Sequence, residues 1–196
     1  MDYGRPIQFG YFVLPDSMRP MRPLELAVRA EKLGIELIGI QDHPYQRRFY
    51  DTWTLLTAIA MRTERVTVFP DVANLPLRPP AMLAKAAASL DLLSNGRVEL
   101  GLGAGGFWDA IKAMGGSVRT PGEAVSALEE AIQVIRLVWS GRPLRRQVLP
   151  ARRPECGPAT GAPDRHLARC LQAEDAPAGR ARRRWLGAVA RCAKAR

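Results

Sequence analysis

The chain has 196 residues, 47% of them hydrophobic, and a formal net charge of +10. That length allows one domain with a sizeable core, and no apolar run approaches the roughly 18 residues of a membrane span. The charge does not make the whole chain basic: the segment 1–140 holds equal numbers of basic and acidic side chains, so the segment 141–196 supplies the excess. We expect a cytoplasmic protein without a signal peptide or a membrane partner.

Strand-like and helix-like segments alternate along the chain as far as Trp139. Strands are predicted at 7–14, 37–40, 66–69 and 98–103, and helices at 24–33, 52–61, 81–93 and from Pro121 to Trp139. Asp51 and Thr120 are the expected N-caps, the latter in a capping box with Glu123. The strand starts recur at nearly equal intervals of roughly 30 residues, which is typical of a βα unit repeated four times.

The amphipathic pattern assigns buried faces to the first and last of these helices. The face of the first comprises Leu24, Ala27, Val28 and Leu33, and that of the last comprises Val125, Leu128, Ile132, Ile135 and Trp139. Residues 70–76 (PDVANLP) are predicted as a loop, because two prolines lack the N–H that a strand ladder needs. The short strand–helix–strand connections indicate parallel strands and an α/β fold.

The segment 71–106 (DVANLPLRPPAMLAKAAASLDLLSNGRVELGLGAGG) resembles the third and fourth strand region of the bacterial luciferase-like monooxygenases. The similarity extends over about 8–141 and implies a flavin- or deazaflavin-dependent (β/α)8 barrel. A complete barrel needs roughly 250 residues, so we expect a truncated chain with the N-terminal four βα units of a TIM-type barrel. Residues 1–141 would form this partial barrel. In the family, later strands hold most of the flavin phosphate, which makes activity of this chain doubtful.

The resemblance implies a role for each loop that follows a strand. His43 is the catalytic candidate, since a histidine at this place in the family faces the flavin, and Asp42 completes an Asp-His pair common in the deazaflavin branch. A non-proline cis peptide is implied within Asp71, Val72, Ala73 and Asn74. The proposed cofactor contacts are Asp42, Asp71, Val72, Ala73, Asn74, Gly103 and Gly105, and the proposed substrate pocket is Tyr45, Phe107 and Trp108. No metal is expected.

The implied activity is the oxidation of a small organic substrate, with FMN as cofactor or, alternatively, the deazaflavin coenzyme F420. A homodimer is possible for the full-length family enzyme. The run Gly101-Leu102-Gly103-Ala104-Gly105-Gly106 also satisfies G-x-G-x-x-G, the fingerprint of a nicotinamide-dependent Rossmann enzyme, which leaves that enzyme class as an alternative. We prefer the barrel interpretation, in which the glycines leave room for a flat ring over the strand end.

The segment 142–196 differs in character from the one before it. Arg, Ala, Pro and Gly make up most of it, and the three cysteines (Cys156, Cys170, Cys192) match no zinc or disulfide spacing. We expect a disordered basic tail produced by a shifted reading frame, because the composition changes where a fifth unit is due. The alternative is a tail that binds nucleic acid without sequence specificity.

Overall fold

Strands and helices alternate through the part of the chain described by the structure, a computed structural model that covers residues 7–140. The strands are Gly10–Phe12 (β1), Leu37–Ile40 (β2), Thr67–Pro70 (β3), Ala73–Asn74 (β4) and Leu102–Gly103 (β5). The α-helices are Arg22–Lys32 (α1), Thr52–Arg62 (α2), Pro80–Leu93 (α3), Trp108–Ala113 (α4) and Pro121–Trp139 (α5). Within this range, no helix is both long and apolar enough to cross a membrane. The predictions for residues 142–196 lie outside the described residues.

The strands are parallel and follow one another in sequence order. One sheet has the order β1-β2-β3, and a bridge from Val68 to Val98 brings the next segment alongside β3. A second parallel pair joins β4 to β5. In a doubly wound nucleotide-binding sheet the first strand lies inside the sheet, whereas here β1 is at the edge of the described sheet. The α/β prediction is confirmed, and this strand order argues against the Rossmann alternative.

Two apolar clusters fill the space between the strands and the helices. The first joins β2 and β3 to α1 and α2, and the second joins β4 to α3 and α5. The largest fully buried apolar side chains are Ile38, Ile40, Leu56, Ile59, Leu83 and Ile111. Burial of each such side chain contributes about 1.5–3 kcal/mol to folding, so these clusters hold the strand ends in place.

The four long helices begin close to their predicted positions, and two of them, α2 and α5, have side-chain caps that the sequence encodes locally. The Asp51 carboxylate accepts the Thr54 N–H at 3.0 Å at the start of α2. Thr120 and Glu123 form the reciprocal capping box at the start of α5, with Pro121 at the first helical position. Both cap predictions are confirmed.

The predicted buried faces were wrong at two positions. Leu33 is 74% exposed, because α1 buries Ala27, Ala30 and Glu31, and a residue two positions past Glu31 lies about 200° around the helix from it. Val125 is 56% exposed, and its smaller neighbour Ala124 is buried in its place.

The strand predictions were wrong near the prolines and glycines. Pro70 is part of β3 and pairs with Ile40; the following residue, Asp71, supplies the N–H that Ile40 O accepts at 2.7 Å. The segment predicted as a loop over 70–76 also contains β4 and the start of a 3-10 helix, Leu75–Leu77. Within the predicted strand 98–103, the residues that pair with a neighbouring strand are those of β5 and Val98. The pairing is interrupted between them because the neighbouring segment turns between β3 and β4.

Between the predicted strand 98–103 and the predicted helix from Pro121, the structure has a further helix, α4, which the sequence analysis did not predict. It is only 6 residues long and has no side-chain cap, so neither an apolar period nor a capping residue marks it in the sequence.

Two charged side chains hold the amino-terminal ends of the strands. The Glu31 carboxylate accepts the N–H groups of Glu64, Arg65 and Val66, the shortest of these bonds being 2.6 Å. The Arg97 guanidinium donates to the carbonyl oxygens of Ala60, Thr63 and Val66. These contacts belong to the end of the sheet opposite the candidate site, where we expect residues to serve stability.

Candidate functional site

Aromatic rings from two separate loops meet beyond the carboxyl ends of the strands. His43 and Tyr45, from the loop after β2, stack with ring centroids 5.3 Å apart. Phe107, from the loop after β5, lies edge-on to His43 at 5.4 Å and 6.0 Å from Tyr45. We call these three residues the aromatic cluster. The structure therefore brings together the catalytic candidate and two of the three substrate-pocket candidates.

The Tyr45 phenol keeps its proton in this setting. Burial raises the pKa of Tyr45, and the negative charge of Asp42 raises it further. A protonated phenol can donate a hydrogen bond at neutral pH, and the neighbouring imidazole can accept or donate one. The aromatic cluster thus offers ring surfaces together with groups that can exchange a proton with a ligand.

Asp42 lies beneath the aromatic cluster, with its side chain fully buried. Its carboxylate accepts two hydrogen bonds from Arg78, at 2.6 Å from Nε and 2.8 Å from Nη2. The same carboxylate accepts the backbone N–H of Asn74 at 2.9 Å. We call Asp42 and Arg78 the Asp42–Arg78 pair. The contacts of the carboxylate favour a positioning role for Asp42, and direct cofactor contact by it stays a prediction.

Arg78 also contacts the start of α2. Its Nη2 lies 2.6 Å from Asp51 Oδ1, on the residue that caps this helix. Burial raises the pKa of Asp51, but hydrogen bonds from Arg78 and Thr54 outweigh that effect and lower it below its usual range. The two carboxylates likewise raise the pKa of Arg78, against the effect of its burial. Arg78 therefore stays charged and joins its own segment to the loop after β2, through Asp42, and to the start of α2, through Asp51.

Sequence reasoning missed Arg78. It lies far along the chain from Asp42 and Asp51, between Leu77 and two prolines, with no periodic or capping signal. Only the structure reveals its partners.

Asn74 presents a buried amide oxygen without a partner. The residue is 8% exposed, it lies in β4 opposite Gly103, and its Oδ1 accepts no hydrogen bond within the described structure. A buried polar atom left unpaired costs roughly 1–3 kcal/mol. Such an atom at a strand end is an acceptor available to a ligand donor.

The Asp71–Val72 peptide bond is cis, as the resemblance implies for this loop. Val72 is 41% exposed, and Ala73 is fully buried in the second apolar cluster. Contact of Asp71, Val72 or Ala73 with a cofactor stays a prediction.

The glycines after β5 fit closely against the protein itself. A Cβ on Gly103 would lie 2.5 Å from Val72 Cγ2, and one on Gly101 would lie 2.6 Å from the carbonyl oxygen of Pro70. Gly105 has φ +106°, and a Cβ there would meet Pro76 and Trp108 at 2.8 Å. The space that a Cβ would need at Gly101, Gly103 and Gly105 is therefore occupied by the protein itself, whereas a Cβ at Gly106 would meet no atom within 4 Å. Cofactor contact by Gly103 or Gly105 stays a prediction, and Trp108 lies against Gly105.

Three comparisons place these observations among known proteins. The sequence profile of a family described as luciferase-like monooxygenase matches residues 7–161. The chain is 34% identical over 140 residues to the F420-dependent glucose-6-phosphate dehydrogenase of Amycolatopsis mediterranei, a match that covers 68% of this chain and 42% of that protein. The chain thus spans about two fifths of the length of the curated relatives it matches.

Solved structures give the same picture. An F420-dependent secondary alcohol dehydrogenase, solved with an F420-acetone adduct, is 28% identical with a TM-score of 0.61, over 69% of this chain and 42% of that one. The oxygenating constituent of 3,6-diketocamphane monooxygenase of Pseudomonas putida, solved with FMN, has a TM-score of 0.60 over 71% of this chain and 41% of that one. Because the two chains are only 23% identical, this structural likeness shows a shared fold alone.

Proposed function

Because the chain belongs to the luciferase-like monooxygenase family, we propose that residues 7–140 carry the ring-binding part of a cofactor-dependent oxidoreductase. In this proposal they are the first four βα units of a (β/α)8 barrel. The observation that carries the proposal is the partnerless Asn74 Oδ1, at the end of β4. The hydrogen bond from the Asn74 N–H to Asp42 joins β4 to the loop that bears His43 and Tyr45 of the aromatic cluster.

The residues present fit a flavin-type ring. Such a ring is flat and carries N–H donors and carbonyl acceptors on one edge. Asn74 Oδ1 would accept from an N–H group of the ring, and the aromatic cluster would cover an apolar face. Burial of the Asp42–Arg78 pair keeps both charges paired away from that face.

A deazaflavin is the cofactor we favour. The names of the A. mediterranei relative and of the secondary alcohol dehydrogenase both specify F420 dependence, and these proteins are 34% and 28% identical to this chain. When bound, this cofactor would supply the hydride chemistry, and the protein would orient it and exclude water.

The substrate class we propose is a small molecule with an oxidisable alcohol group. The bound cofactor would supply the hydride acceptor for oxidation of the alcohol carbon to a carbonyl, and the hydroxyl proton would have to be taken by a protein group. His43 is the side chain we assign to take that proton, because an imidazole nitrogen can accept one and the ring lies among the residues of the aromatic cluster. Tyr45 would donate a hydrogen bond to the same oxygen.

A second candidate is an FMN-dependent monooxygenase. The description of the matching family and the fold shared with the P. putida enzyme favour it. The two candidates differ in cofactor and in the need for oxygen.

Titration of the purified full chain with the deazaflavin and with FMN, followed by cofactor fluorescence, tests the proposal and separates the candidates. We expect saturable binding with a lower Kd for the deazaflavin. A lower Kd for FMN supports the monooxygenase, and no binding of either cofactor contradicts both.

A further inference from the structure

The Asp42–Arg78 pair lies where three features of the candidate site converge. Asp42 directly precedes His43 in the chain, its carboxylate binds the Asn74 N–H, and Arg78 reaches the cap of α2 through Asp51. Among the described residues, the salt bridges that join the loop after β2 to the segment that follows β4 are those of Arg78, with Asp42 and with Asp51.

We propose that Arg78 is a positioning residue that fixes His43 and Asn74 relative to each other. This inference rests on the proposed function, because it assigns Arg78 a role in the same cofactor site. Arg78 makes no ligand contact in this account; it acts through the carboxylate of Asp42.

Arg78 binds the Asp42 carboxylate in a bidentate geometry. Two parallel N–H···O bonds fix both the position and the plane of a carboxylate, which a single lysine charge does not do. With its plane fixed, Asp42 directs Oδ2 at the Asn74 N–H. The orientation of the Asn74 backbone, and with it the direction of Oδ1, therefore depends on Arg78.

Both side chains of the Asp42–Arg78 pair are largely buried. The Asp42 side chain is fully buried and that of Arg78 is 21% exposed, so solvent does not replace their bonds when one partner is lost. Removal of Arg78 would leave a buried carboxylate without its countercharge, which is costly. We expect the loop that carries Asp42 and His43 to shift toward solvent in response.

Arg97 provides a matched control. It is another partly buried arginine that donates several hydrogen bonds, but its acceptors are Ala60 O, Thr63 O and Val66 O at the opposite end of the sheet. Both Arg78→Ala and Arg97→Ala should lower the Tm. Only a positioning role for Arg78 predicts that the two variants differ in cofactor Kd and in amide exchange at Asn74.

The test measures cofactor Kd and amide exchange at Asn74 in the full chain, at a temperature where each variant is folded. For Arg78→Ala we expect a deazaflavin Kd raised roughly tenfold or more, and Asn74 N–H exchange accelerated by a similar factor, relative to both wild type and Arg97→Ala. Arg78→Lys should give a smaller change in the same direction, and it replaces Arg78→Ala if the alanine variant does not fold.

Equal Kd values and equal Asn74 exchange in the Arg78 and Arg97 variants would overturn the inference. If the wild-type chain binds neither deazaflavin nor FMN, the proposed function fails. The exchange measurement then still decides whether Arg78 holds Asn74, since it needs no bound ligand.

Discussion

The Asp42 carboxylate and the Arg78 guanidinium form a bidentate pair, with Nε 2.6 Å from Oδ2 and Nη2 2.8 Å from Oδ1. Through the Asn74 N–H, from which Oδ2 also accepts a hydrogen bond, the pair links β4 to the loop that bears His43. Substitutions at these loops and elsewhere in the sheet can separate what the site residues do for a ligand from what they do for the fold.

His43→Ala should lower turnover by roughly 10²–10⁴ if its imidazole handles a proton. The chain has one other histidine, His166, so His166→Ala is the matched control and should leave turnover unchanged. Reduction of the deazaflavin by an alcohol substrate, followed by absorbance, measures both. Equal turnover in the two variants would remove His43 from the mechanism.

Glu31→Gln should destabilise the protein at neutral pH by roughly 1.5–3 kcal/mol, because it weakens the charged hydrogen bonds to three backbone N–H groups. Burial raises the pKa of Glu31, but those bonds outweigh it and the net pKa is lowered. A lowered pKa means that the stabilisation is present above the unfolded value of about 4.3 and is lost as pH falls through the folded value.

Urea unfolding of wild type and Glu31→Gln between pH 7 and pH 3 measures this effect. The stability difference should shrink as the pH falls below about 4.3. Glu25→Gln, on the exposed side of the same helix, is the control and should change little at any pH. A difference between wild type and Glu31→Gln that is constant with pH would contradict the assignment.

Gly103→Ala should destabilise the protein by about 1–3 kcal/mol, because the added methyl group would meet Val72 Cγ2 at 2.5 Å. Gly106→Ala is the matched control, since no atom lies within 4 Å of a Cβ there. Thermal unfolding of the double variant Gly103→Ala/Val72→Ala should recover part of the loss. Unchanged stability in Gly103→Ala would return the glycine to the role of leaving room for a ligand.

The chain should self-associate through β1. Within the described residues β1 pairs only with β2, and the flanking side chains of Ile7 (82% exposed) and Phe9 (68% exposed) are apolar. Phe9→Lys should reduce self-association in sedimentation velocity, whereas Leu33→Lys, at an exposed leucine directly after α1, should not. A monomeric wild-type chain that unfolds cooperatively would contradict this prediction.

Local signals in the sequence were sufficient for much of the fold. The caps at Asp51 and Thr120 and the repeat of apolar segments predicted four long helices and the parallel sheet, because capping and periodicity depend on neighbours in the chain. The pairing of β4 with β5 was not predictable, since it depends on the turn between β3 and β4. Packing decided the exposure of Leu33 and Val125.

The candidate site was predictable in its positions but not in its contacts. Because parallel strands end at one edge, the loops that bear His43 and Asn74 could be placed together from sequence. The Asp42–Arg78 pair joins residues distant in the chain, and the tight fit of Val72 against Gly103 depends on backbone geometry. Neither of these two contacts produces a pattern in the sequence from which it could be predicted.

The partnerless Asn74 Oδ1 offers the most direct test of the central claim, that the strand ends hold the ring of the cofactor. Asn74→Leu replaces a buried amide by an apolar side chain of similar size, so the ligand-free protein should keep or raise its Tm. The same variant should raise the deazaflavin Kd roughly tenfold, because the ring loses its acceptor. A lowered Tm together with an unchanged Kd would show that Asn74 serves the fold alone and would contradict the claim.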